Sequence, residues 1–391
     1  MDKIEGKTLV FTDLHLGLAG NKLTKLKIAV QAVKEVIKYA KANDIKAILF
    51  LGDWNHSRVS TENNVLNVSY KLMSALSRSF PVYMVVGNHD IYMKNSVDVN
   101  SLVVFKDLPN VKIITSATPL SINGNKSLLV PWLADVSSES KASYDMLFGH
   151  FDVSSKYLVQ SYVQDHSQAP AASSNVANAI DSDSSLGSSR SQSVNDQVGD
   201  FVETAKVGGT VFSGHIHSRK EFAAKGRKFI FVGSPYQQNL GEMGNRCGFY
   251  VIGQDNGVSF QEITSVPKHV ELKMSEVTKD IDHYDFSQVK GNILHKVYDI
   301  EVDRLVDSKI DQKIQDCKPY EELLPEYAVG VADTGVQTPE AAKSIELLKK
   351  SKLEYISNYI QNIDQKALDA DGLDKGQLFK TLENYYNAVT A

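Results

Sequence analysis

LVFTDLHLG (residues 9–17), AILFLGDWNH (47–56) and VYMVVGNHD (82–90) are built alike: a short aliphatic or aromatic run leads into Gly, Asp, Asn and His. An apolar run of four or five residues without polar alternation suits a strand buried on both faces, so strands are expected over 8–11, 47–51 and 82–86. Between the first two, Leu26, Ala29, Val30, Val33, Val36, Ile37 and Ala40 recur at helical spacing, and residues 65–77 read as a second helix. A βαβαβ order implies a layered α/β domain with a parallel sheet, in which functional side chains gather beyond the carboxyl ends of the strands.

Working outward, KSLLVPW, YDMLFGH, GTVFSGH, RKFIFVGSP and GFYVIG are further short strands with little helix between them, so the later half should be mainly β. Two of these runs end in the same chemistry, in FGHFDV (148–153) and FSGHIHS (212–218). Six of the ten histidines fall in these five segments, which a structural scatter would not produce. Singly, Asp13, Asp53 and Asp90 suit helix caps, Asn88 a turn and His150 a hydrogen-bonded core position. Together they form a nitrogen and oxygen donor set without thiolate, suited to manganese, iron or zinc in a binuclear site. Asp-x-His and His-x-His place both side chains on one side of an extended stretch. Two ions about 3.5–4 Å apart can activate water and clamp a phosphoryl oxygen.

D-x-H, G-D, G-N-H-D, G-H and G-H-x-H in this order resemble the motifs of calcineurin-like metallophosphoesterases. The resemblance implies a layered sandwich of two mixed sheets flanked by helices. It implies that Asp13, His15 and His217 hold one metal, that Asn88, His150 and His215 hold the other, and that Asp53 bridges them. It gives His89 the part of general acid, with Asp90 orienting it. His56 matches DNA-processing members of the family and is expected on a substrate phosphate. FVGSPYQQNLGE (231–242) and KHVEL (268–272) are similar to segments of SbcD-type nucleases, so the resemblance extends over nearly the whole chain. It implies a manganese-dependent DNA exonuclease and endonuclease, homodimeric, partnered with an SbcC-type ABC ATPase and active in DNA repair, recombination or replication. A stand-alone phosphatase or small phosphodiesterase and a non-catalytic assembly subunit are the alternatives.

The expected organisation is a nuclease domain over 1–265 and a small α+β, DNA-facing cap over 266–324. A linker over 325–337 and a helical, ATPase-binding segment over 338–391 follow. Residues 162–199, rich in Ser, Ala, Asn and Asp, read as a flexible insertion. The C-terminal segment has an N-cap at Thr338 and an apolar stripe through Ile345, Leu348, Ile356 and Tyr359. Dimerisation is expected through the helix containing Leu66, Tyr70 and Met73 and the segment containing Leu102 and Phe105.

At 391 residues and 42% hydrophobic content the chain has ample material for a core. Its net charge of −5 excludes a strongly basic nucleic-acid binder by composition alone. The charge is uneven: 13 basic and 9 acidic residues in the first hundred, 7 and 12 from Pro319 onward. A lysine-rich helix carrying Lys22, Lys25, Lys27, Lys34, Lys38 and Lys41 is a candidate phosphate-backbone surface. Cys247 and Cys317 are too few for a disulfide framework. No apolar run reaches the roughly 20 residues needed to cross a bilayer and no leader is evident, so a cytoplasmic protein without membrane contact is expected.

Overall fold

The computed structural model describes residues 1–93, 95–139, 142–151, 206–224, 226–323 and 325–327. After β1 (Asp2–Ile4) the expected βαβαβ run appears as β2 (Lys7–Phe11), α1 (Leu23–Ala42), β3 (Ile45–Phe50), α2 (Asn63–Ser77) and β4 (Val82–Val85). There follow β5 (Val111–Ile114), β6 (Thr118–Ile122), β7 (Asn125–Val130), β8 (Ser143–Gly149), β9 (Lys206–Ser213), β10 (Lys220–Ala224), β11 (Arg227–Phe231), β12 (Gly248–Ile252) and β13 (Val258–Glu262).

They form two mixed sheets, one of six strands in the order β13-β12-β2-β3-β4-β5 and one of seven in the order β1-β6-β7-β8-β9-β11-β10. From β2 to β5 the first sheet is parallel, while β12 joins β2 antiparallel. Alternation along the strands explains why their sequences are uniformly apolar. Leu9, Phe11, Ile48, Phe50 and Met84 pack against Ala29, Val33 and Val36 of α1 and Leu72, Met73 and Leu76 of α2. The intervening Val10, Leu49, Leu51 and Val85 meet Leu129, Phe148, Phe212 and Ile230 of the other sheet. Each such side chain, fully buried, contributes on the order of 1.5–3 kcal/mol. The helix α1 stops where the Asn43 side-chain amide and backbone N–H both turn back on the Tyr39 carbonyl, the amide at 2.9 Å.

The cap holds β14 (His269–Lys273), β15 (Ile293–Tyr298), α3 (Arg304–Cys317), β16 (Glu321–Glu322) and β17 (Glu326–Tyr327), with all strand pairs parallel. Its own core contains Leu272, Met274, Val277, Phe286, Leu294, Ile310 and Ile314. β15 ends at Tyr298, and five residues on Asp303 caps α3 by accepting from the Leu305 N–H at 2.8 Å. Glu326 and Tyr327, expected in the linker, form β17 and pair with Val297 and Tyr298. The 162–199 stretch, the rest of the linker and the 338–391 segment lie outside the described residues.

Two expectations about surfaces change. Lys25 is buried and sits 2.9 Å from His269 Nε2 of the cap, so it belongs to an internal interface, while Lys22, Lys27, Lys34, Lys38 and Lys41 stay exposed. Met73, Leu102 and Phe105 are buried in the subunit's own core, whereas Leu66 and Tyr70 face outward beside exposed Val103 and Val104. Among the described residues no helix is long and apolar enough to cross a membrane.

Candidate metal centre

The loops that follow β2, β3, β4, β8 and β9 meet at one end of the sandwich, and backbone hydrogen bonds lock them together. The N–H groups of Asp13, His15 and Leu16 donate to the carbonyls of Gly52, Asp53 and Trp54, each at 3.0 Å. Gly214 N–H donates to the Gly149 carbonyl at 3.0 Å, and Trp132 N–H to that of Val86 at 2.9 Å, which ties the two sheets. Asp13, His15, Asp53 and His215 all have positive φ, at 53°, 46°, 60° and 77°. For non-glycine residues this costs on the order of 1–3 kcal/mol each and persists only where the surroundings impose it. Four strained positions among the expected ligands mark a site shaped for a task other than stability.

All seven expected ligands come together, in two groups. Ligand atoms of Asp13, His15 and His217 lie within 4.8 Å of one another, and so do those of Asp53, His150 and His215. Asp53 Oδ2 stands 3.3 Å from His150 Nε2 and 3.5 Å from His15 Nε2, so it faces both groups. The Asn88 carboxamide lies 2.7 Å from His150 Nε2 and 3.1 Å from His215 Nδ1, and with its NH2 on this side it donates to both rings and to Asp53 Oδ2 at 3.2 Å.

These short distances test whether the residues suit divalent ions. His150 Nδ1 lies 2.7 Å from the Leu51 carbonyl, which only accepts, so this nitrogen carries the hydrogen and Nε2 is the one turned toward Asn88 and Asp53. His217 Nδ1 is 3.0 Å from Glu242 Oε1, which likewise leaves the Nε2 lone pair 3.1 Å from His15 Nε2. Two carboxylates buried among these imidazoles call for positive charge close by, from protons or from metal ions. The electrostatics agree. Burial opposes a charge on His150, yet the Asp53 and Asp13 carboxylates outweigh it and lift the ring to about 9. Burial also opposes charge on Asp13 and Asp53, but neighbouring imidazoles hold both carboxyls below the usual range. His15 is pushed by burial to about 4 and stays neutral. Two carboxylates, a carboxamide and four imidazoles without thiolate fit manganese, iron or zinc.

His89 is buried beside this cluster. Its Nδ1 lies 2.7 Å from the His56 carbonyl oxygen, and its ring stacks on that of His56 with centroids 5.2 Å apart. The orienting part expected of Asp90 therefore falls to the His56 backbone. Both Asp90 oxygens are engaged elsewhere, accepting from the N–H groups of Gly87 and Asp53 at 2.9 Å and of Trp54 at 3.0 Å. Asp90 thus binds the second ligand loop to the third. Burial first, and then the charge of Asp53, raises it to about 6. His56 Nδ1 stands 3.2 Å from His15 Nδ1, which places this residue at the edge of the cluster.

Reading the chain alone missed Glu242, Tyr236, Gln238 and Trp132. Trp132 packs its ring 5.2 Å from His215 and 6.0 Å from His150. No periodicity distinguishes these four, because their partners are remote in sequence.

Over 358 residues, 84% of this chain and 93% of the relative, the sequence is 20% identical to exonuclease subunit 1 of enterobacteria phage T4. A solved archaeal phosphodiesterase aligns over 66% of this chain and 99% of its own length, with a TM-score of 0.34 and 10% identity. The sequence profile of the calcineurin-like phosphoesterases matches residues 6–219. With that match over more than half its length, the chain belongs to the calcineurin-like phosphoesterase family of metal-dependent hydrolases.

Proposed function

We propose that this chain is a two-metal DNA nuclease that hydrolyses phosphodiester bonds as an exonuclease and endonuclease. In this reading Asp13, His15 and His217 hold one ion, Asn88, His150 and His215 hold the other, and Asp53 bridges. The observation that carries it is the convergence of two carboxylates, a carboxamide and four imidazoles from these loops beside His89, whose Nδ1 meets the His56 carbonyl. DNA is favoured over a simple phosphate ester by the similarity to a phage exonuclease subunit, which continues past the family match into the cap.

When bound, a pair of divalent ions, manganese in this proposal, supplies Lewis acidity to the phosphoryl group and lowers the pKa of water. The chain's own residues do the rest. The His56 carbonyl holds His89 Nδ1–H, so Nε2 is the nitrogen that delivers a proton to the leaving oxygen. His56 contacts a phosphate oxygen, and Asp90 keeps the Asp53 and Asn88 loops in register. The strained backbone at Asp13, His15, Asp53 and His215 fixes the donors before substrate arrives. The cap over 266–327 faces DNA, residues 338–391 bind an SbcC-type ABC ATPase, and the exposed Leu66, Tyr70, Val103 and Val104 form a homodimer contact. Such a complex would process DNA ends in repair, recombination or replication.

The test is an end-labelled DNA duplex incubated with manganese, with and without the ATPase, beside an aryl phosphate ester. Metal-dependent release of nucleotides or internal cuts is expected, abolished by chelation. Turnover of the aryl ester with intact DNA would overturn the nuclease reading in favour of a stand-alone phosphatase.

A further inference from the structure

We propose that residues 236–242 form a positioning clamp for one ion of the pair, the one held by Asp13, His15 and His217, with Glu242 as its charged member. This rests on the metal reading given above.

Glu242 is 5% exposed at the end of the 3-10 turn Leu240–Glu242. Among the described residues no Lys or Arg forms an ion pair with it, and its charged-pair contact is the His217 ring at 3.0 Å. The other contacts are neutral donors. Oε1 accepts from Asn239 Nδ2 at 2.9 Å, and Oε2 accepts from Gln238 N–H at 2.9 Å, while the Ser234 hydroxyl nearby donates to the Tyr236 carbonyl at 2.8 Å. Burying a carboxylate is costly, and neutral donors alone offset it incompletely. What the carboxylate achieves is at His217: it fixes the tautomer with Nδ1–H, aims Nε2 inward and makes the ring a stronger donor.

Two neighbouring side chains act on the same half of the site. Gln238 Nε2 donates to the Asp13 carbonyl at 2.6 Å, and Tyr236 Oη–H donates to the Leu14 carbonyl at 2.9 Å. One short segment therefore grips the loop carrying Asp13 and His15 and the ring of His217. Those are the three protein ligands proposed for a single ion. The rings of His150 and His215 are braced from elsewhere, by the Leu51 carbonyl and the Trp132 ring, and the two halves meet where the His215 N–H donates to the Asp13 carboxylate at 3.1 Å. The clamp should tune one ion and leave the other unchanged.

Calorimetric titration with manganese, without DNA, tests this on the full chain as wild type, Glu242→Gln and Glu242→Ala. Wild type should bind two ions. In Glu242→Gln one of the two should bind about 10–100-fold more weakly, the other should be unchanged, and the fold by circular dichroism should be retained. The manganese concentration for half-maximal cleavage should move by the same factor, with kcat recovered at saturating metal. Glu242→Gln keeps the size of the side chain, so it remains informative if Glu242→Ala does not fold. Unchanged affinity at both ions, or equal weakening at both, would overturn the clamp while leaving the metal reading in place. No ion bound by wild type would overturn the reading on which the clamp rests.

Discussion

His89 illustrates how little of a residue's role lies in the residue. Its described neighbours include the His56 carbonyl on Nδ1 and the His56 ring stacked alongside, and the proposed part rests on them. The two proposed ligand groups, Asp13, His15, His217 and Asp53, His150, His215, do not include it, although its ring nitrogen also lies within 4.8 Å of those of His15 and His56. Exchange of His89 for Gln should therefore leave two ions per chain by elemental analysis while strand cleavage falls about 10²- to 10⁴-fold, the usual worth of general acid catalysis. Equal loss of metal and activity would make His89 a ligand. Asp90 is the converse case. Adjacent to His89 in the chain, it works on the backbone of two loops instead.

At the scale of elements, the site depends on loops that turn sharply as they leave their strands. Gly52, with φ +100°, packs against the His150 ring and the Gly87 backbone, and Gly87 in turn lies against Asp53. A methyl group at residue 87 would collide with the Asp53 backbone nitrogen and carboxylate. We expect Gly87→Ala to cost about 1–3 kcal/mol of stability by overpacking and, because Asp53 faces both ligand groups, to lower occupancy of both ions. A destabilised variant with wild-type metal content would contradict the bridging role. Behind these loops the elements are held by ordinary packing. Trp54, fully buried, donates Nε1–H to Ser69 Oγ of α2 at 2.8 Å, which sets the helix against the loop that carries Asp53.

For the whole molecule, the seam between α1 and β14 carries an unusual pair. Burial lowers the Lys25 ammonium to about 8 from 10.5, and burial together with the Lys25 charge lowers His269 to about 3. His295, Lys22, Glu242 and Glu321 are the other charged or titratable groups that face the pair. Between pH 8 and 10.5 the unfolded chain holds a proton on Lys25 that the folded chain has released, so this position's contribution to stability rises with pH. Below that window both states are charged and the penalty is constant. Urea denaturation of wild type and Lys25→Met should show the wild type gaining on the variant from pH 8 toward 10. Other groups cancel in the difference. A flat difference would mean that the ammonium is solvated and the seam open. The seam is otherwise fastened by Ile293 in the catalytic core, by Tyr320 and Leu323 packed against it, and by Tyr320 Oη–H donating to the Thr24 carbonyl at 3.1 Å.

The central strands and the identity of the cluster were legible in the chain because both are written locally. A strand buried on both faces must be apolar throughout, as in 47–51, and ligands must follow directly where such strands end, as in G-D, G-N-H-D and G-H-x-H. The edge and near-edge strands β1, β5, β6, β10 and β13 were not evident. They are short and partly solvated, so their composition differs little from that of loops. The helix α3 was within reach, since Asp303 and the Val306, Ile310, Ile314 spacing are a cap and a stripe. Contacts between remote residues had no local signature. Glu242 meets His217 across 25 residues and Lys25 meets His269 across 244, and nothing in either neighbourhood encodes the partner. Sequence periodicity records which face of an element is dry. Which charged group meets which inside the folded chain depends on how whole sheets and loops close over one another, and that closure assigned His89 its carbonyl, His217 its carboxylate and Lys25 its place in the seam.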